Sequence, residues 1–91
     1  MLDLEKKYIL SEDIVLRNVG KTYWGLNTKS GDQFKLNEVS YFILDQFRKQ
    51  LTVKELLVIL LKEFDVTEEV ITEDVDKIIS VATKNDLLRA M

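Results

Sequence analysis

Histidine and cysteine are both absent from the 91 residues. With them go the commonest general base, the commonest metal ligand, thiolate nucleophiles and disulfides. Proline is also absent and glycine occurs only three times, so no stretch has the composition of a linker or a disordered tail. Gly20, Gly25 and Gly31 fall in turns and a strand and form neither a Gly-x-Gly-x-x-Gly nor a Gly-Lys-Ser/Thr pattern, which leaves no phosphate loop. The carboxylates are numerous. They sit at helix starts or in i, i+4 pairs such as Glu73 and Lys77, where a solvated stabilising role accounts for them. The expectation is a protein that is not an enzyme and carries no cofactor, neither metal nor nucleotide.

Long hydrophobic runs are missing as well. The longest, Leu56 to Leu61, falls far short of the ~20 residues that span a bilayer. Met1 to Leu10 is interrupted by Asp3, Glu5, Lys6 and Lys7 and lacks the apolar core of a signal peptide. No membrane association is expected, and a chain without cysteine suits a reducing, cytoplasmic setting. A net charge of −3 runs against nucleic-acid binding, which needs clustered Lys and Arg to neutralise phosphates. At this length there is room for one domain, residues 1–91, and residues 1–11 are left as an N-terminal extension without an assigned structure.

What is present is a change of hydrophobic period partway along the chain. Ile14 to Val19 and Thr22 to Asn27 are β-branched and aromatic-rich, and Asn18-Val19-Gly20-Lys21 between them is turn chemistry. Thr28-Lys29-Ser30-Gly31-Asp32 then introduces Gln33 to Leu36, where Phe34 and Leu36 alternate with Gln33 and Lys35. This predicts a three-stranded antiparallel meander.

From Asn37 the period becomes helical. Val39, Phe42, Ile43 and Phe47 share one face, with Asn37 as N-cap, and the helix is expected to run to about Lys49. Thr52-Val53-Lys54-Glu55 has the spacing of a capping box and opens a second helix, whose stripe is Val53, Leu56, Leu57, Leu60, Leu61 and Phe64. Thr67, with Glu68 and Glu69 behind it, opens a third helix with Ile71, Val75, Ile78 and Ala82 on its main face. Three strands followed by three helices make an α+β fold.

Apolar residues are left over: Val58 and Ile59 lie off the stripe of the second helix, and Val70, Ile79 and Val81 off that of the third. They can complete a small core or a dimer interface. They can also line a site beside the third strand, which is short, polar on one face and lacks a blocking proline, so that its edge can accept an extended peptide as an added strand.

Val15-Leu16-Arg17, Tyr23-Trp24-Gly25-Leu26-Asn27, the junction Leu36-Asn37, Leu51-Thr52-Val53-Lys54-Glu55-Leu56, Glu63-Phe64-Asp65-Val66, Asp74-Val75 and Leu87-Leu88 together resemble the PqqD-like proteins, also called RiPP recognition elements. The resemblance covers about residues 12 to 88. The family often has Gly just before the final Leu-Leu, where this sequence has Asn85-Asp86. The resemblance implies a winged-helix-like fold and a non-catalytic peptide chaperone. Its partners would be the leader segment of a ribosomally made precursor, bound by strand addition, and a modifying enzyme, often a radical SAM protein, in RiPP or PQQ-type biosynthesis. It places the groove between the third strand and the third helix, with Gln33, Phe34, Lys35 and Leu36 on one side and Asp74, Lys77, Ile78 and Val81 on the other. Two other readings stand beside it. One is a winged-helix nucleic-acid binder, which the acidic third helix opposes; the other is a structural dimerisation module, the chain being a monomer or a homodimer, domain-swapped or not.

Overall fold

Turn residues and apolar spacing partition the chain in the computed structural model, which describes residues 2–91. The elements are β1 (Lys7–Leu10), β2 (Ile14–Val19), β3 (Thr22–Asn27), β4 (Gln33–Leu36), α1 (Glu38–Gln46), β5 (Leu51–Thr52), α2 (Val53–Glu63), α3 (Glu68–Lys84) and β6 (Leu88–Ala90). The expected meander is there, with β2, β3 and β4 side by side and antiparallel. Val19 pairs with Thr22, which leaves Gly20-Lys21 as a two-residue loop. Gly20 has φ +62°, the sign that the first central residue of a II′ hairpin turn requires. In the second turn the Asn27 side-chain oxygen accepts the N–H groups of Lys29 and Ser30 at 2.9 and 3.2 Å, which fixes where β4 begins.

Period-2 alternation assigns the faces of this sheet. Ile14 and Leu16 are buried and Phe34 and Leu36 half-buried on the side that meets the helices, whereas Val15, Arg17, Gln33 and Lys35 are exposed on the other.

The helix starts follow the capping chemistry of the sequence. Asn37 Oδ1 accepts the N–H of Ser40 at 2.7 Å, and Thr67 Oγ1 that of Val70 at 3.3 Å. At α2 the Thr52 hydroxyl accepts the Glu55 N–H at 3.1 Å while Glu55 Oε1 accepts the Thr52 N–H at 2.9 Å, which completes the capping box. Helix α1 ends at Gln46 rather than near Lys49. The N–H groups of Phe47 and Arg48 turn back to carbonyls three residues earlier, and Leu51-Thr52 is drawn off to pair with β1.

Two positions on the apolar stripes differ from the spacing-based expectation. Leu61, placed on the core stripe of α2, is 39% exposed, because Val53, Leu56, Leu57 and Leu60 centre the buried face about a quarter-turn away from it. On α3 the buried set is Ile71, Val75, Ile79 and Ala82. Ile79 therefore takes the core place expected of Ile78, and Ile78 moves to the half-buried border of that face.

The end of α3 is a Schellman motif. The N–H of Leu87 donates to Ala82 O at 2.8 Å and that of Asp86 to Thr83 O at 3.3 Å, with Asp86 in the left-handed region at φ +60°. Asp86 thus occupies the place that glycine usually fills, and the motif packs Leu87 back over Ala82.

The stretch left outside the predicted fold supplies β1, the centre of a second small sheet of order β5-β1-β6. Tyr8 pairs with Leu51 on one side and Ala90 on the other, and its ring stands edge-on to Phe47 at 6.0 Å. One contiguous core joins this sheet, β2 and the three helices, with Phe47, Ile43, Leu44, Leu56 and Leu60 fully buried at its centre.

Candidate functional site

Backbone polarity comes first, because it decides what the edge of the meander can accept. The N–H of Asn27 donates to Asp32 O at 2.9 Å, so 27 and 32 form a hydrogen-bonded pair. Bonded and non-bonded pairs alternate along an antiparallel ladder. Gly25 with Phe34 and Tyr23 with Leu36 are therefore bonded pairs, and Leu26 with Gln33 and Trp24 with Lys35 are not. It follows that Gln33 and Lys35 turn their N–H and C=O groups away from β3. β4 has no neighbour on that side among the described residues, and no other backbone bond ends on either residue. The open edge offers two donors and two acceptors spaced for an extended chain.

The space beside that edge is a groove whose far wall is α3. Its widest part, a depression of about 480 Å³, is bounded by Gln33, Phe34, Lys35 and Leu36 on one side and Val81, Asn85 and Leu87 on the other. It runs into a smaller apolar hollow of about 210 Å³, floored by Leu36, Leu44, Ile78, Val81, Ala82 and Leu87. Beyond this lies a more polar end with Asn37, Ser40, Asp74 and Lys77. The eight residues singled out from the sequence thus come together around one continuous groove. On α3, Ile78 borders the hollow rather than filling the core, and Val81 stands 59% exposed on its wall.

Other residues of the groove were missed. Asn85 follows Val81 by one helical turn, whereas Leu87 reaches the groove because the Schellman motif reverses the chain, and the sequence signal for that, Asn85-Asp86 in place of a glycine, carries no direction by itself. Leu44 and Ser40 come from the side of α1 opposite Val39 and Phe42.

Charge bears on the alternatives. The exposed side of the first turns of α3 carries Glu68, Glu69, Glu73 and Asp76 around a depression that Leu2 borders, a surface that repels phosphate. The helix that a winged-helix protein would lay into DNA is thus the most acidic element here. Both shifted ionisations are structural and lie outside the groove. The Thr52 backbone N–H holds the Glu55 carboxyl below its ordinary range, and Asp45 raises Arg48. Among the described residues no cluster of side chains could hold a metal ion, and no helix is long and apolar enough to cross a membrane.

Comparison with known proteins bears on the fold and the family. No curated protein matches the sequence. Two solved structures share the fold. One is described as TbiB1 in complex with the TbiA(beta) leader peptide, at a TM-score of 0.76 and 17% identity over 89% of this chain and 94% of that one. The other is described as lasso peptide synthetase B1 complexed with the leader peptide, at a TM-score of 0.74 and 16% identity over 90% of this chain and 96% of that one. The family described as Coenzyme PQQ synthesis protein D matches residues 1–88, and on that extent the chain belongs to the PqqD family.

Proposed function

We propose that the protein binds the leader segment of a ribosomally made precursor peptide as an added strand at β4 and presents it to a modifying enzyme, without chemistry of its own. The observation that carries this reading is the coincidence of an unpaired strand edge with an apolar groove. Gln33 and Lys35 supply backbone donors and acceptors, and Ile78, Val81 and Leu87 supply the wall against which alternate peptide side chains pack. The two similar structures, each described as a complex with a leader peptide, support it. Asp74 and Lys77 at the polar end are positioned to meet the flank of the bound segment.

Two variants test this by different means. Lys35→Pro removes one outward N–H that β3 does not use, so the fold is retained while the peptide loses a hydrogen bond. Val81→Asp places a charge on the groove wall at an exposed position and should weaken binding at least ~tenfold. The measurement is titration calorimetry of a leader peptide that wild type binds, after circular dichroism has shown each variant folded. Unchanged affinity in both variants would remove the groove from the site.

A further inference from the structure

The outer face of the meander differs in charge from the rest of the molecule. Its outward positions carry Arg17 and Lys35 and no carboxylate, in a chain whose net charge is −3. Register aligns these two cations: Arg17 lies opposite Trp24, and Trp24 opposite Lys35, in one row across the sheet. The three ion pairs among the described residues are Arg48 with Asp45, Lys77 with Glu73 and Arg89 with Glu12, so neither cation of the row has a carboxylate partner. The next place in the row is the open edge itself.

A strand added there sets one residue beside Lys35, tied to it through backbone groups, with its side chain on the same outer face and its β-carbon about 5 Å from that of Lys35. The residues on either side of it point the other way, into the hollow bordered by Leu36, Ile78, Val81 and Leu87. Opposite charges paired in this way favour association, and like charges oppose it.

We propose that the Lys35 side chain selects the bound peptide by charge: the residue paired with Lys35 is an aspartate or glutamate, set between two residues with apolar side chains. The proposal rests on the leader-binding reading and adds to it an alternating apolar–acidic–apolar pattern in the ligand. Arg17 at the other end of the row adds a field of the same sign. Because the pair is solvent-exposed, its strength is modest and falls with salt.

The test is a selection of short random peptides displayed on phage, run in parallel against wild type, Lys35→Glu and Val81→Asp, each first shown folded by circular dichroism. Wild type should enrich peptides with Asp or Glu between two apolar residues, and Lys35→Glu should enrich Lys or Arg at that same position. Synthetic peptides from the wild-type pool should bind Lys35→Gln about two- to fivefold more weakly than wild type, with the difference fading at high salt. Identical enrichment by wild type and Lys35→Glu, or apolar alternation with no charge preference, would overturn charge selection while leaving the groove in place. A pool that Val81→Asp enriches unchanged would overturn the groove, and with it this proposal.

Discussion

Gly25 and Phe34 face each other across β3 and β4, and the ring of Phe34 lies over the bare α-carbon of Gly25, so that a β-carbon at position 25 would overlap the ring edge. The glycine in the middle of the meander is a seat for an aromatic side chain that forms part of the groove. Gly25→Ala should displace the ring toward the groove and destabilise the protein by roughly 1–3 kcal/mol, the usual range for overpacking. Chemical denaturation gives the loss and the Phe34 ring resonances report the displacement. Unchanged stability with unmoved resonances would mean that the ring is not seated there.

Asp86 holds a left-handed conformation that glycine adopts without a β-carbon penalty. Asp86→Gly should raise stability by up to about 1 kcal/mol, and Asp86→Val should lower it. The midpoint of urea denaturation, at constant slope, is the readout.

Leu60 and Leu61 are neighbours in sequence with opposite environments, one fully buried and the other 39% exposed. Leu60→Ala should cost about 2–5 kcal/mol and Leu61→Ala less than about 1 kcal/mol. Equal losses would contradict the burial of the helix.

The edge polarity of β4 predicts an alternating pattern of amide exchange. Phe34 and Leu36, whose N–H groups point at β3, should exchange slowly, and Gln33 and Lys35 rapidly. Addition of a leader peptide should slow the second pair. Residue-resolved hydrogen exchange by NMR tests both statements, and rapid exchange at Phe34 would place the ladder one residue out of register.

Glu55 is held below its ordinary value of 4.5, first by the Thr52 backbone N–H and then by the Thr52 hydroxyl. A carboxyl whose folded value is depressed contributes stability that is fully present above its unfolded value and is lost as pH falls through the folded one. The stability gap between wild type and Glu55→Ala should therefore be full above pH 4.5 and close on further acidification. Urea denaturation across this range measures it, and a gap independent of pH would show that the carboxylate charge plays no part in the cap.

The legible parts of the fold were those with local chemistry. Gly20 and the Asn27-to-Asp32 turn mark the strands, Asn37, Thr52 and Thr67 mark the helix starts, and the alternation in Gln33 to Leu36 marks the edge that frames the groove. The parts that stayed hidden depend on contacts between distant residues. Lys7 to Leu10 is too short to show a period, and its strand exists because β5 and β6 flank it. Which of Ile78 and Ile79 faces the core is decided by the packing of α3 against α2 and β6, which local spacing does not show. Leu87 enters the groove through a backbone reversal at a residue, Asp86, whose side chain does not advertise it.

Pairing of Tyr8 with Ala90 joins residues that lie nearly the whole chain apart. The hairpins and helices close short loops and can form early, whereas the β5-β1-β6 sheet has to wait until the chain between its ends has condensed. That sheet should therefore form late in folding and contribute little to the transition state, which φ-values at Tyr8 near zero would show. Loosening it should speed unfolding more than it slows folding, and the half-life of the native state then depends on a strand that makes no contribution to the groove.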